Sequence, residues 1–137
     1  TDLSQDFREG EIQGIKILLA EDNVVNQRIA RRLLEKQGCH VTGAGSGREV
    51  LDYLEKDHFD LILMDASMPD LDGLEATQII RKNEAKTGAH IPIIALTARA
   101  MQEDKQKCLD AGMDAYVIKP IDRKNLYETI SNTLKKG

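Results

Sequence analysis

Five polar side chains that could take part in a reaction or bind a metal follow apolar runs of the chain, each at the point where a run ends. They are Glu21, Asp22, Asp65, Thr97 and Lys119. Three carboxylates brought together repel each other, and at an effective dielectric constant of about 20 each pair at ~4 Å costs on the order of 4 kcal/mol. A hard divalent cation would relieve this repulsion, and oxygen ligands without a His or Cys cluster suit Mg²⁺ rather than Zn²⁺. The sequence therefore predicts a magnesium site formed by the three carboxylates.

Such a site would attract a phosphoryl group. Asp65 could then act as the nucleophile on phosphorus and form an aspartyl phosphate. Lys119 and the metal would neutralise the phosphoryl oxygens, and the hydroxyl of Thr97 would hydrogen-bond one of them. Each residue also has an ordinary interpretation, since Asp22, Asp65 and Thr97 could cap helices and Lys119 could be a solvated surface cation. The repeated placement of reactive groups directly after strands favours the joint site.

The elements that must bring these residues together follow from hydrophobic periodicity. Five short apolar runs alternate with five segments whose apolar residues have helical spacing. This alternation predicts an α/β fold, a doubly wound five-stranded parallel sheet in three αβα layers. The carboxyl ends of the strands would share one edge of the sheet, where ligands bind in such folds. The predicted strands are Ile15 to Ala20, His40 to Ala44, Leu61 to Met64, Ile91 to Leu96 and Ala115 to Ile118, and the helices start near Val24, Ser46, Leu74, Met101 and Asp122.

Length and composition limit the class of protein. The 137 residues fit one domain, with residues 1–14 as a polar linker or tail and residues 15–136 as the folded part. A net charge of -4 argues against non-specific nucleic-acid binding and against contact with anionic membranes. Cys39 and Cys108 form no metal-binding motif and are expected to be buried, reduced thiols. Because the thiols are expected to be reduced, we expect a cytoplasmic location. No apolar run approaches the roughly 18 residues of a membrane span.

The same residues resemble the receiver domain of two-component response regulators. Glu21-Asp22 resembles the acidic pair of that family, Asp65 its phosphoacceptor, Thr97-Ala98 its switch hydroxyl and small neighbour, and Lys119-Pro120 its lysine followed by a cis peptide bond. The resemblance extends from Ile15 to about Leu134. It implies the flavodoxin-like receiver fold with strand order 2-1-3-4-5. It also implies a phosphoacceptor signalling domain of a two-component phosphorelay, which takes its phosphoryl group from a phosphohistidine.

The resemblance implies two further roles. The backbone carbonyl of Ser67 would complete the protein ligands of the metal, and Tyr116 would be the aromatic switch residue that turns inward when Thr97 is drawn to the phosphoryl group. An alternative for Tyr116 is an edge-strand tyrosine with a solvated hydroxyl. The segment from Glu21 to Gln27 resembles receivers carried by hybrid sensor histidine kinases, which would tether the domain to a membrane. A stand-alone receiver and a truncated response regulator are the alternatives.

Such a receiver would have a histidine kinase core, a histidine phosphotransfer domain or both as partners, and would be a monomer or weak dimer. The expected docking surface combines the start of the first helix with the loop after Lys119, and its residues are Val24, Val25, Asn26, Pro120 and Ile121. We expect Val24 to be exposed and Ile29 to be part of the core.

The main rival is an enzyme. Phosphatases of the haloacid-dehalogenase type also use an aspartate after a buried strand, but they need a second aspartate two residues later, where this chain has Ser67. Flavin or nucleotide binders of this fold hold phosphate with backbone amides after the first strand, where Glu21-Asp22 would repel it. The sequence therefore favours a phosphoacceptor whose only catalysis is its own phosphorylation and dephosphorylation.

Overall fold

The computed structural model describes residues 12–66, 68, 70–98 and 101–136. Strands and helices alternate through this part of the chain, as the hydrophobic pattern predicted. The ten elements are β1 (Lys16–Ala20), α1 (Val24–Lys36), β2 (His40–Ala44), α2 (Gly47–Lys56), β3 (Leu61–Asp65), α3 (Gly73–Glu84), β4 (Ile93–Thr97), α4 (Gln102–Ala111), β5 (Ala115–Ile118) and α5 (Arg123–Lys136).

All five strands pair in parallel in the order β2-β1-β3-β4-β5, which confirms the predicted fold. Every residue of β3 and of β4 is buried. Helices cover both faces of the sheet, so a central strand has no solvent face and its sequence shows an unbroken apolar run instead of alternation. The two most buried strands are the ones that end in Asp65 and Thr97.

Two cores lie on opposite faces of the sheet, because neighbouring residues of a strand point to opposite sides. Leu19 and Leu63 belong to the core that α1 and α5 cover. Leu18 and Ile62 belong to the core that α2, α3 and α4 cover. The sheet is therefore a rigid platform held from both sides, and its carboxyl edge presents the loops that carry the candidate site.

Side-chain caps fix the helix starts that follow this edge. Asn23 accepts a hydrogen bond from the backbone N–H of Asn26 at the start of α1. Asp72 and Glu75 form a reciprocal capping box at the start of α3, immediately after the loop that follows Asp65. Each cap satisfies N–H groups that a helix start leaves without partners. The loops at the candidate site are thus anchored at their helical ends.

The prediction for Ile29 is wrong. Its side chain is 47% exposed, whereas Ala30 and Leu34 make the buried face of α1. Gln27 lies on the same face as these two residues and donates from Nε2 to the carbonyl oxygen of Glu21 at 2.9 Å. Because the helix has 3.6 residues per turn, Ile29, two positions after Gln27, falls on the outer side when this face meets the sheet.

Strand β4 starts later than predicted, and one residue of the predicted linker belongs to the core. Strand β4 begins at Ile93 instead of Ile91, because Pro92 has no N–H to offer and serves only as an acceptor for the N–H of Ile62, at 2.9 Å. Ile12 lies in the segment predicted as a linker, yet it is fully buried and its carbonyl faces the thiol of Cys39 at 3.3 Å. Residues 1–11 of that segment lie outside the described residues.

None of the described helices combines the length and apolar character needed to cross a membrane.

Candidate functional site

The candidate residues occupy corresponding positions on neighbouring strands. Asp65 and Thr97 are the last residues of β3 and β4, while Glu21 and Lys119 each follow the last residue of β1 and β5. Backbone bonds continue past the strand ends and hold these positions in register. The N–H of Glu21 donates to Ala44 at 2.9 Å, and that of Lys119 donates to Thr97 at 2.8 Å. The fold therefore brings four of the predicted residues to one edge, as the sequence predicted.

Lys119 joins two of the carboxylates. Its Nζ lies 2.7 Å from Oε1 of Glu21 and donates a hydrogen bond to Oδ2 of Asp65 at 3.0 Å. The side chains of Glu21 and Asp65 are only 1% and 8% exposed, and that of Lys119 is 17% exposed. Two charges removed from water in this way are stable only when an opposite charge is close. The lysine is thus the internal counter-ion of the site.

Glu21, Asp22 and Asp65 form an acidic trio whose ligand oxygens all lie within 4.8 Å of one another. Asp22 is the exposed member and faces solvent. Three carboxylates against one ammonium leave a formal charge of -2, and two buried carboxylates at this separation repel by about 3 kcal/mol at an effective dielectric constant of about 20. Carboxylate oxygens with one open side that can admit water are the donor set that fits Mg²⁺. Ser67, the remaining predicted ligand, lies outside the described residues.

Burial and charge shift two pKa values in this cluster. Burial raises the pKa of Glu21 above its usual value, and Asp65 adds to the rise, while Lys119 partly opposes it. For Lys119, burial alone would lower the pKa, but the contacts with Glu21 and Asp65 together outweigh it and raise the pKa. Without a metal, Glu21 therefore binds a proton more tightly than an ordinary glutamate does, and Lys119 holds its proton more tightly than an ordinary lysine does.

Thr97 and Tyr116 lie on adjacent strands near this cluster. Thr97 is 7% exposed and pairs in register with Ile118, while Tyr116 pairs with Ala95 two residues earlier. The ring of Tyr116 is half-buried against the core, and the Lys105 ammonium lies 4.9 Å from the ring centroid. A cation above an aromatic ring stabilises that ring position. The two residues of the predicted switch pair are therefore diagonal neighbours on β4 and β5.

Two glycines hold the loop after Asp65, and the sequence reasoning missed both. A Cβ on Gly73 would collide with the backbone carbonyl of Asp65, and a Cβ on Gly47 would collide with the carbonyl of Leu71. The N–H of Gly47 also donates to that Leu71 carbonyl at 2.8 Å. Close backbone approach is a known reason for glycine. The sequence signal for Gly73 is the pair Asp72-Gly73, which is typical of a turn or of a helix start.

The predicted docking surface consists of residues around the edge. Val24 and Val25 are 68% and 62% exposed, and Val24 thus has the exposure that the sequence predicted. Asn26 is half-buried and Pro120 is exposed, while Ile121 packs partly against the core. The peptide bond between Lys119 and Pro120 is cis, as the resemblance implied. With Ile29, the valines form an apolar patch on α1 beside the acidic trio.

The chain matches a known protein family over most of its length. Residues 17–131 match the family model described as the response regulator receiver domain. The chain belongs to this family. It is a receiver domain, and its role is that of a phosphoacceptor module in two-component signalling.

Similar proteins and similar solved structures support the same family membership. The chain is 49% identical over 126 residues to hybrid signal transduction histidine kinase I of Dictyostelium discoideum, covering 88% of this chain and 7% of that protein. It is 42% identical, with a TM-score of 0.81, to the receiver domain of a sensor histidine kinase from Pseudomonas aeruginosa that was solved with a magnesium ion in its active-site cleft, covering 89% and 98% of the two chains. The receiver domain of the Saccharomyces cerevisiae response regulator Ssk1, solved with the histidine phosphotransfer protein Ypd1, is 35% identical with a TM-score of 0.82, covering 87% and 88%. The chain thus spans a small part of the curated kinases that it matches.

Proposed function

We propose that Asp65 is the residue that accepts the phosphoryl group, in a relay that links a histidine kinase core to a histidine phosphotransfer domain. The single observation that supports it best is the position of Asp65. Its carboxylate is buried at the end of the central strand, 3.0 Å from the Lys119 ammonium and within 4.8 Å of the other two acidic groups. Relatives that are hybrid histidine kinases support the relay as its setting.

The reaction that this site would perform is an in-line transfer. A carboxylate oxygen of Asp65 attacks phosphorus, and the new O–P bond forms as the N–P bond of the donor phosphohistidine breaks. The electron pair of the broken bond stays on the imidazole nitrogen, which takes a proton from solvent. Attack of water on the same phosphorus regenerates the carboxylate and releases inorganic phosphate. The chain would thus catalyse its own phosphorylation and dephosphorylation, with no further substrate.

The other residues of the site would stabilise charge and hold position. Bound Mg²⁺ would supply positive charge for the phosphoryl oxygens, and Glu21, Asp22, Asp65 and the carbonyl of Ser67 would hold it. Lys119 would move its hydrogen bond from the Asp65 carboxylate to a phosphoryl oxygen, since the ammonium already lies at this place. The hydroxyl of Thr97 would donate to a second phosphoryl oxygen.

Phosphorylation would then act as a switch through Thr97 and Tyr116. When the threonine hydroxyl moves toward the phosphoryl group, it vacates space beside β5. The Tyr116 ring can fill this space at the expense of its contact with Lys105, which biases an equilibrium between two ring positions. The surface that reports the change would be the face formed by α4, β5 and α5.

The phosphotransfer partner would dock on the apolar patch of α1. Val24, Val25 and Ile29 are exposed apolar side chains on α1, which starts at the carboxyl edge of the sheet where Asp65 lies. The exposed Pro120 and the neighbouring Ile121 would form the opposite side of the docking surface. An apolar centre with polar surroundings is what a helical partner can bury.

Labelling by a small phosphodonor tests the assignment. The protein is incubated with acetyl phosphate with and without Mg²⁺, and intact mass spectrometry counts the phosphoryl groups. We expect one group, dependent on Mg²⁺, and none in Asp65→Asn. The matched control is Asp70→Asn, an exposed aspartate of the same loop that pairs with Arg48 and should retain labelling. Undiminished labelling of Asp65→Asn at another residue would refute the proposal.

A further inference from the structure

A second concave site lies at the edge of the sheet opposite Asp65. A cleft of about 650 Å³ opens between the C-terminal ends of α2 and α3, above the residues that lead into β3 and β4. Leu54 and Ile80 line it from the two helices, and Phe59 and Ile91 line it from the segments before the strands. The cleft has the size of small-ligand sites, which run from about 300 to 1,000 Å³. Nothing in the phosphoryl-transfer site requires it.

The charged groups of this cleft share one sign. Every charged residue that lines it within the described part of the chain is a carboxylate, and these are Glu55, Asp57, Asp60 and Glu84. Lys16 pairs with Asp57 at 2.7 Å, and Arg81 pairs with Glu84 at 2.6 Å, so those two are compensated from outside the cleft. Two histidines, His58 and His90, also line the cleft. Asp60 accepts a hydrogen bond from the backbone N–H of Lys16 at 2.9 Å and lies 3.8 Å from the His58 imidazole, while Glu55 is exposed, so these two carboxylates set the charge of the opening. The lining thus combines an apolar floor with an acidic rim.

Helix geometry adds to the negative potential. Helix α2 ends at Lys56 and α3 ends at Glu84, so both point their C-terminal ends at the cleft. The C-terminal end of a helix carries a partial negative charge of about half an electron, which favours a cation within the last turn. Lys56 in the last turn of α2 and Arg81 and Lys82 in the last turn of α3 offset part of this potential. The apolar floor and the acidic rim therefore set the ligand chemistry, and the two helix ends add a smaller contribution.

We propose that this cleft binds a small organic amine, with its apolar body against Phe59 and Ile80 and its ammonium group at the rim near Glu55 and Asp60. Phe59 and Ile80 are each 4% exposed and form a continuous part of the core beneath the opening. Ile79, at 37% exposure, provides an outer apolar wall. This ligand site is separate from the phosphoacceptor and does not depend on it.

Three probes with one apolar body test the charge preference. They are 4-phenylbutylamine, which is a cation at pH 7, 4-phenylbutanol, which is neutral, and 4-phenylbutyrate, which is an anion. Each is titrated into ¹⁵N-labelled protein, and the amide shifts of His58, Phe59 and Asn83 are followed. We expect a dissociation constant on the order of 1 mM for the amine, weaker binding of the alcohol and none of the acid. Equal binding of all three probes, or no shift at these amides with the amine, would overturn the proposal.

Two variants with matched controls locate the site. Ile79→Arg places a cation in the cleft and should abolish amine binding, whereas Leu109→Arg, at a residue of similar exposure on α4, should leave it unchanged. Glu55→Gln should weaken the binding of the amine about two- to fivefold, which is the effect of losing an exposed charge pair, and should leave the affinity of the alcohol unchanged. The dispersion of the same spectra reports folding. Amine affinity that is unchanged in Glu55→Gln and in folded Ile79→Arg would also overturn the proposal.

Discussion

We expect the acidic trio to make the stability of the folded protein sensitive to Mg²⁺. Glu21 and Asp65 are buried within 4.8 Å of each other, and Lys119 compensates only one negative charge. The raised pKa of Glu21, caused first by its burial, means that the folded state binds a proton there more tightly than the unfolded state does. This tighter proton binding by Glu21 therefore contributes fully to stability at low pH. The contribution is lost as the pH rises through the pKa that Glu21 has in the folded state. At neutral pH a bound cation should restore stability.

The size of the effect follows from mass action. At a Mg²⁺ concentration about ten times the dissociation constant, the free energy of unfolding rises by about 1.4 kcal/mol. A chain of 137 residues has an unfolding entropy of about 0.29 kcal/mol/K, so the melting temperature should rise by about 5 °C. Thermal unfolding followed by circular dichroism, with NaCl of equal ionic strength as the reference, measures this shift.

Two variants show whether the trio is responsible. Asp22→Ala removes the solvent-facing carboxylate and should erase the gain from Mg²⁺. Asp52→Ala removes an exposed carboxylate from α2, away from the trio, and should keep the gain. A melting temperature that Mg²⁺ leaves unchanged in the parent protein would refute the charge argument, as would a full gain in Asp22→Ala.

Three further predictions concern the switch, the docking surface and a buried thiol. Thr97→Ala removes one hydrogen bond of about 1 kcal/mol and should therefore slow labelling by acetyl phosphate about fivefold. In this variant, beryllofluoride should no longer shift the ring signals of Tyr116. Normal ring shifts would contradict the coupling between Thr97 and Tyr116. Val24→Asp should slow transfer from a phosphorylated histidine domain about tenfold but leave acetyl phosphate labelling intact; equal loss in both assays would contradict a docking role. Burial raises the pKa of the Cys39 thiol to about 11. The reaction of this thiol with iodoacetamide in the native protein should therefore be slow at pH 8, and its rate should increase toward pH 11. Alkylation at pH 8 that is as fast as in urea would contradict this.

Periodicity was sufficient for the elements but not for their arrangement. The strand His40–Ala44 lies where the sequence predicted it, in a short segment that Gly38 and Gly45 bound. The strand order came from the family resemblance, since hydrophobic spacing contains no information on which strands are neighbours. Ile29 shows the same limit within one helix. Two stripes of apolar residues on α1 could face the core, and helical spacing alone does not show that the stripe with Ala30 and Leu34 is the buried one.

The site was predictable as a set of residues and not as a set of contacts. Strand ends identify Glu21, Asp65 and Lys119 because parallel strands end at one edge. That the lysine bridges both carboxylates depends on side-chain geometry that spacing cannot supply. The need for glycine at Gly73 depends on the approach of α3 to the Asp65 carbonyl, which is a tertiary contact.

The most direct test of the phosphoacceptor assignment is the transfer itself. A histidine phosphotransfer domain carrying radiolabelled phosphohistidine is mixed with the parent protein and with Asp65→Asn in the presence of Mg²⁺, and the label on each chain is followed over time. We expect the parent to gain up to one phosphoryl group that is stable in acid and labile in base, as an acyl phosphate is, and Asp65→Asn to gain none. Label that transfers equally to Asp65→Asn, or label on the parent that survives base, would contradict Asp65 as the acceptor.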